Sequence, residues 1–254
     1  MPAFTSRRAG ARLHYLDLPG SGTPLVFLHG MGCASSCDYP QVASAQPLQR
    51  RRRILVDLLG SGYSDRPAGF DYTVRAHADV VVELVQALEL RSVYLYGHSM
   101  SGAIAIIVAK ALADRVRGLV LSEPNLDPGG GATSRAIACQ TLSHYLRSGH
   151  RALVRAARRR GQHEWASTMA VSCPSAIHRE ARSLVAGSRP SWRRILATLP
   201  MTRTVLFGSR SLPDDDTIRL PAFGVRTLVV PRAGHDMAHE NPSGLAIALA
   251  AAVA

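Results

Sequence analysis

The residues best suited to do chemistry are centred on Ser99. An apolar run over residues 93–96 predicts a buried strand, and the helix-favouring residues 103–109 predict a helix almost directly after it. A serine on such a sharp strand-to-helix turn has its hydroxyl raised above the sheet, beside helix N–H groups that stabilise negative charge. The run Gly97-His98-Ser99-Met100-Ser101 departs from the pattern G-x-S-x-G only at its fifth residue, and Gly102 follows at once. The stretch therefore predicts a nucleophilic serine.

Three further polar residues follow predicted strands in the same way. Continuous apolar runs, typical of strands buried on both faces, lead into His29, Asp57 and Glu123. In a parallel sheet the carboxyl ends of the strands share one edge, and reactive groups collect there. Ser99 and these three residues all stand at such ends, which favours a functional serine over a purely structural turn, although we expect Asp57 itself to be structural.

The order of the predicted elements indicates an α/β core. A hairpin around Ala9-Gly10 opens the chain, and strands then alternate with helices to about residue 126. A helix over residues 76–88 has Thr73 as its expected N-cap. Two more strands are predicted at residues 204–208 and 225–230. This alternation predicts a mostly parallel sheet with helices on both faces.

An inserted block interrupts this core after Pro128-Gly129-Gly130-Gly131. It shows helical patterns and no convincing strand; the candidate helices span residues 132–146, 152–160, 175–185 and 192–199. We expect residues 1–126 and 202–254 to form the core domain, and residues 127–201 to form a helical lid over the strand ends.

The composition indicates a soluble, globular chain. At 254 residues, 46% of them hydrophobic, it can bury a full core. No apolar run approaches the roughly 18 residues that a membrane span needs. Because the first residues lack the apolar segment of a signal peptide, we expect a cytoplasmic protein without a membrane partner.

The net charge of +12 comes almost entirely from arginine, since Lys110 is the only lysine. Arginines cluster at residues 50–53, 151–160 and 189–194. Aromatic residues make up only 6%, and no nucleic-acid-binding motif accompanies the clusters. We therefore expect a solvated basic surface and no nucleic-acid partner, with attraction of acidic substrates or anionic partners as the alternative.

Metal binding is not expected from the sequence. The four cysteines show no paired spacing and are expected as free thiols: Cys33, Cys37, Cys139 and Cys173. The histidines of the expected lid lack carboxylate or cysteine partners at the spacing of metal ligands.

The motifs, taken in order, resemble those of the α/β-hydrolase fold superfamily over essentially the whole chain. His29-Gly30-Met31-Gly32 follows the third strand, Asp57-x-x-Gly60-x-Gly62-x-Ser64 the fourth, and Gly234-His235 the last. The resemblance implies an eight-stranded sheet and the catalytic order serine, acid, histidine. It makes Ser99 the nucleophile and His235 the general base, because a serine hydroxyl attacks only when an imidazole removes its proton.

The resemblance also implies where an oxyanion would be held. The family pattern assigns the two hydrogen-bond donors to the backbone N–H groups of Met31 and Met100. His29 most often buttresses this loop in the family. We expect an apolar substrate pocket shaped by His29, Gly30, Met31, Met100, the face of Ala136 to Leu146, Trp165 and Trp192.

The position of the acid departs from the commonest family layout. That layout has an aspartate in a G-x-x-D turn after the seventh strand, but here the turn reads Gly208-Ser209-Arg210-Ser211. Some relatives, including certain haloalkane dehalogenases, place the acid after the sixth strand, where Glu123 stands. We therefore favour Glu123 over Asp214 and Asp127.

These features lead us to expect a cofactor-free serine hydrolase, monomeric or homodimeric, with a Ser-His-Glu triad. Its substrate would be a small ester, lactone or thioester, cleaved through an acyl-enzyme. A carbon–carbon bond hydrolase of the meta-cleavage product type and a non-catalytic ligand-sensing protein are the alternatives. Aspartate-nucleophile relatives are disfavoured because Ser99 cannot form their alkyl-enzyme ester.

Overall fold

The computed structural model describes every residue from Met1 to Ala254 and is built on one eight-stranded sheet. The strands are β1 (Ala3–Ser6), β2 (Ala11–Leu18), β3 (Ser21–Leu28), β4 (Arg51–Val56), β5 (Val93–His98), β6 (Val116–Ser122), β7 (Thr202–Gly208) and β8 (Arg226–Val230). They lie in the order β1-β2-β4-β3-β5-β6-β7-β8. Strand β2 pairs antiparallel with both β1 and β4, and all pairs from β4 to β8 are parallel. The prediction of a mostly parallel sheet is confirmed.

Thirteen α-helices accompany the sheet. They are α1 (Ser35–Asp38), α2 (Pro40–Ala43), α3 (Val74–Ala87), α4 (Met100–Ala111), α5 (Ala132–Ala138), α6 (Leu142–His144), α7 (His150–Arg159), α8 (His163–Val171), α9 (Pro174–Ala186), α10 (Trp192–Thr198), α11 (Asp216–Arg219), α12 (Met237–Glu240) and α13 (Pro242–Ala252). A π-helical turn joins α6 to α7 at Tyr145–Gly149, and a 3₁₀ turn follows α11 at Pro221–Phe223. None of these helices is long and apolar enough to cross a membrane.

The alternation of side chains along β3 shows why the strand is a continuous apolar run. Leu25 and Phe27 join one buried cluster, which includes residues of α2 and α13. Val26 and Leu28 point the opposite way, into a larger cluster that includes residues of α3 and α4. Successive side chains of a strand face opposite sides of the sheet, so helices on both faces require apolar residues at every position.

Helix α3 begins at Val74, directly after the predicted N-cap Thr73 and two residues before the predicted span of residues 76–88. The Thr73 hydroxyl accepts a hydrogen bond from the Ala76 N–H at 3.1 Å, which satisfies one of the free donors at the helix N-terminus. Val80, Val81 and Leu84 are buried against the core. This confirms the predicted N-cap.

Helices α5 to α10 form one helical insertion between β6 and β7. Its first helix is shorter than the predicted span of residues 132–146, because α5 ends at Ala138 and Thr141 caps a new turn. Helix α8 was not predicted, and only three of its nine residues are buried, which leaves little helical periodicity to detect.

Candidate active site

Ser99 alone forms the turn between β5 and α4. Its backbone has φ 53° and ψ −115°, a conformation that a residue with a side chain rarely adopts. Gly97 makes the turn possible, since a Cβ atom there would lie 2.3 Å from the Ser101 carbonyl oxygen. The strand and the helix are thereby brought close together, with Ser99 at the tip.

The unusual fifth residue of the motif has its own contact. The buried Ser101 hydroxyl donates a hydrogen bond to the His29 carbonyl oxygen, which ties the serine turn to the loop after β3. Gly102 allows α4 to lie close to Pro124, because a Cβ atom on Gly102 would be 2.3 Å from the Pro124 Cβ. The small residue required for packing has therefore moved one position along α4.

Glu123 leaves the sheet beside Ser99. In the parallel pairing of β5 with β6, His98 lies opposite Ser122, and the Ser99 N–H donates to the Ser122 carbonyl at 2.9 Å. Glu123 also has a positive φ, of 39°. Two neighbouring strands thus end at one level in residues of strained conformation, which are concentrated at functional sites.

The Glu123 carboxylate contacts His235. Its Oε2 lies 2.8 Å from His235 Nδ1, and its Oε1 accepts the Gly208 N–H at 2.9 Å. Burial raises the pKa of Glu123, but hydrogen bonds from His235, Gly208 and Ser211 outweigh it and lower the pKa to about 2. Glu123 is therefore ionised at neutral pH.

The other two candidate acids make different contacts. The Asp127 carboxylate pairs with Arg193, with 2.6 Å between Oδ2 and Nη2. Asp214 Oδ1 accepts the Asp216 N–H at 2.8 Å, an arrangement typical of a helix start. Neither side chain forms a hydrogen bond with His235, so Glu123 is the carboxylate that can hold this imidazole.

His235 is surrounded by groups with opposing effects on its charge. Burial lowers its pKa, but the contact with Glu123 prevails, so the pKa is raised above the ordinary value. The rings of His98 and His235 lie 4.8 Å apart, and His98 Nε2 lies 3.0 Å from the His235 carbonyl oxygen. Burial, reinforced by the neighbouring His235, lowers the pKa of His98 to about 3. His98 is therefore a neutral ring that holds the His235 loop.

Ser99 and His235 line the same two cavities. No hydrogen bond joins the serine hydroxyl to the imidazole in this structure, and the His235 side chain is 51% exposed. In ligand-free sites such hydrogen bonds are often long and shorten only when substrate binds.

The loop after β3 carries the other expected site residues. His29 is buried, and its Nε2 accepts the Leu58 N–H at 3.0 Å, so it supports the loop and does not line either cavity. Gly30 approaches Ser99 closely, since a Cβ on Gly30 would lie 3.5 Å from the Ser99 Cβ. The Met31 carbonyl accepts a hydrogen bond from Trp165 Nε1 at 3.0 Å. The Met100 side chain is 1% exposed and packs in the core, not in a pocket.

Two cavities meet at Ser99 and His235. The first, which we call the Trp165 cavity, has a volume of about 230 Å³ and is also lined by Gly30, Met31, Thr133, Arg160, Gln162 and Trp165. The second, which we call the Glu123 cavity, has a volume of about 400 Å³ and is also lined by Met31, Glu123, Thr133, Asp214 and Asp216.

Besides His29 and Met100, two other expected parts of the pocket lie elsewhere. Trp192 is 1% exposed and lines neither cavity, because α10 turns it into the apolar core. The segment from Ala136 to Leu146 does not line them either; residues 131–134 at the start of α5 do so. The sequence also gave no indication of Arg160 or Gln162, which follow α7 and reach the site only through the packing of the insertion.

Asp57 has a structural part in the loop after β4. Its carboxylate accepts the Ser36 N–H, the Ser36 hydroxyl and the Tyr63 N–H at 2.7–3.0 Å. All four cysteines are free thiols. No group of three or more histidine, cysteine, aspartate or glutamate side chains is arranged to hold a metal ion.

Comparison with known proteins agrees with the topology. The family model described as alpha/beta hydrolase fold matches residues 23–141. An esterase from Thermogutta terrifontis superposes with a TM-score of 0.81 at 21% identity, covering 98% of this chain and 96% of that one. The eight-stranded sheet and the turn at Ser99 are those of this fold. The chain therefore has the α/β-hydrolase fold.

Sequence relatives are hydrolases of more than one type. Haloalkane dehalogenase 2 of Mycobacterium bovis is 38% identical over 118 residues, which are 46% of this chain and 40% of that protein. The 2-hydroxymuconate semialdehyde hydrolase of Pseudomonas sp. strain CF600 is 37% identical over 114 residues, 44% of this chain and 40% of that protein. The chain thus matches about two fifths of the length of these curated relatives.

Proposed function

We propose that the protein is a serine hydrolase that cleaves a small ester, lactone or thioester through an acyl-enzyme. The observation that carries this proposal is the 2.8 Å contact of Glu123 with His235 Nδ1, which leaves Nε2 of the same ring free to accept a proton in the cavities that Ser99 also lines. A carboxylate that fixes the tautomer and orientation of an imidazole is what a serine nucleophile requires.

In this mechanism Nε2 of His235 takes the Ser99 proton while Oγ attacks the substrate carbonyl. The backbone N–H groups of Met31 and Met100 hold the oxyanion, and His235 then returns the proton to the leaving alcohol. Water, deprotonated by the same imidazole, hydrolyses the acyl-enzyme. The helical insertion acts as a lid, since Thr133, Arg160 and Trp165 enclose the cavity that contains Ser99.

A fluorophosphonate probe tests the nucleophile directly. It should label the wild-type protein at Ser99, and Ser99→Ala should remove both the labelling and the turnover of 4-nitrophenyl esters of graded chain length. Loss of the attacking group normally costs several powers of ten in kcat. A Ser99→Ala variant that kept about a tenth of the activity would exclude Ser99 as the nucleophile. Absence of labelling in the wild type would favour the ligand-sensing alternative.

Carbon–carbon bond hydrolysis is the second candidate, and the similarity to a 2-hydroxymuconate semialdehyde hydrolase supports it. Turnover of a vinylogous 1,5-diketone of the meta-cleavage type would distinguish it from ester hydrolysis. Dehalogenation is disfavoured, although a haloalkane dehalogenase is among the relatives, because Ser99 cannot form the alkyl-enzyme ester of an aspartate nucleophile.

A further inference from the structure

Arg160 is the cation of the candidate active site. It lies at the C-terminal end of α7 and lines the Trp165 cavity together with Ser99 and His235. Arg160 contacts the rest of the chain through its backbone N–H, which donates to the Ala156 and Ala157 carbonyls. Its guanidinium forms no ion pair or side-chain hydrogen bond within the protein, so all five of its N–H donors are free for a ligand.

The charges in the two cavities differ. The Glu123 cavity carries Asp214 and Asp216, of which Asp216 is paired with Arg193. The carboxylate that lines the Trp165 cavity is that of Asp236, the residue after His235. Burial raises the pKa of Asp236, which disfavours its charged form. An anionic group on a substrate bound across Ser99 is therefore attracted to Arg160 and repelled from Asp214.

The exposed surface of α7 carries further positive charge outside the cavity. Helix α7 exposes four more arginines, none of which forms an ion pair with an acid: Arg151, Arg155, Arg158 and Arg159. A surface rich in charge of one sign attracts molecules of the opposite sign over longer distances. The sequence predicts a solvated basic surface for residues 151–160. The last arginine of this segment, Arg160, instead lines the cavity that contains Ser99.

We propose that Arg160 binds a carboxylate of the substrate, and that the protein prefers esters or lactones carrying an anionic group in the part that occupies the Trp165 cavity. This inference rests on the proposed serine hydrolase function and specifies its substrate class. Guanidinium matches a carboxylate with two parallel hydrogen bonds, which gives both attraction and orientation.

Matched ester pairs test the inference. One pair is 4-nitrophenyl hydrogen adipate and its methyl ester, which differ in charge on the acyl side. The other is 4-hexanoyloxybenzoate and its methyl ester, which differ on the alcohol side. In at least one of the two pairs, the wild type should hydrolyse the anionic ester with a kcat/KM roughly 10 to 100 times that of the neutral ester. This is the range expected for a hydrogen bond to a charged group.

The Arg160→Gln variant should reduce that ratio by the same factor, and added salt should reduce it in the wild type. Arg155→Gln is the matched control, since Arg155 is exposed on the same helix and does not line either cavity; its ratio should stay that of the wild type. A ratio near one for both pairs in the wild type, or a preference that survives Arg160→Gln, would overturn the inference.

Failure of the proposed function gives a different result. In that case none of the four esters is hydrolysed, and a fluorophosphonate does not label Ser99. Carboxylate binding can then be measured alone, by calorimetric titration of the Ser99→Ala variant with adipate. Arg160→Gln in that background should weaken adipate binding roughly tenfold or more if Arg160 holds the carboxylate; unchanged binding would overturn the inference independently of catalysis.

Discussion

The Glu123 carboxylate joins His235 to the end of β7. One oxygen lies 2.8 Å from His235 Nδ1, and the other accepts the Gly208 N–H at 2.9 Å. Gly208 opens the turn in which the commonest family layout has its aspartate, and Ser211 occupies that place here. Glu123, the residue after β6, therefore contacts both His235 and the end of β7. It takes the role that the commonest layout gives to an aspartate after β7.

The first prediction concerns this acid. Glu123→Gln should lower kcat by roughly three to four orders of magnitude, because an amide neither fixes the required tautomer nor stabilises the imidazolium. Asp214→Asn should lower it by less than about tenfold, since Asp214 does not contact His235. Steady-state kinetics of both variants check this. If Asp214→Asn lowered kcat by orders of magnitude and Glu123→Gln left it nearly unchanged, the acid would lie after β7.

The second prediction is a pH profile. The neutral imidazole is the active form of a general base, so kcat/KM should rise with pH through the pKa of His235. Because Glu123 raises that pKa, the midpoint of the acid limb should lie above the ordinary value of about 6.5. In Glu123→Gln the residual activity should have its midpoint at lower pH. A midpoint that does not move would mean that another group sets the acid limb.

Much of the fold could be predicted from the sequence, because its signals are local. The strand β3 is a run of apolar residues, and the cap of α3 is a threonine three residues before the N–H it binds. The serine turn and the end of β6 are likewise readable, and the parallel order of strands brings Ser99 and Glu123 together.

The residues that line the cavities could not be predicted, because they depend on how the helices of the insertion pack and local sequence patterns do not show this. Trp192 and Trp165 are equally plausible pocket residues in the sequence, but the orientation of α10 buries the first and that of α8 turns the second toward Met31. Arg160 is one of several consecutive arginines, and nothing in the run distinguishes the one that reaches the cavity.

The third prediction tests the close approach of α4 to the acid loop. Alanine in place of glycine inside a helix normally stabilises by about 1 kcal/mol. In Gly102→Ala, however, the new Cβ would lie 2.3 Å from the rigid Pro124 ring, and such overpacking costs about 1–3 kcal/mol. Pro124 must move and take Glu123 with it, so we expect kcat to fall at least about tenfold.

Urea unfolding and steady-state kinetics measure the two effects of Gly102→Ala. Gly69→Ala is the control, since its added Cβ meets nothing within 4 Å and its φ is not positive; it should leave both unchanged. A Gly102→Ala variant with wild-type kcat would show that the position of Glu123 does not depend on this contact.

The last prediction concerns the hydrogen bond from Trp165 to the Met31 carbonyl, the contact that ties the insertion to the loop after β3. Trp165→Phe keeps an aromatic ring in the cavity but removes the donor, a loss of about 1 kcal/mol of support for that loop. Since the proposed oxyanion donor is the N–H of the same residue, we expect kcat to fall about fivefold with a smaller change in KM. Trp192→Phe is the matched control, because the Trp192 indole N–H is buried without a partner and faces neither cavity. If both substitutions changed kcat equally, the effect would come from general packing of the insertion and not from the Met31 loop.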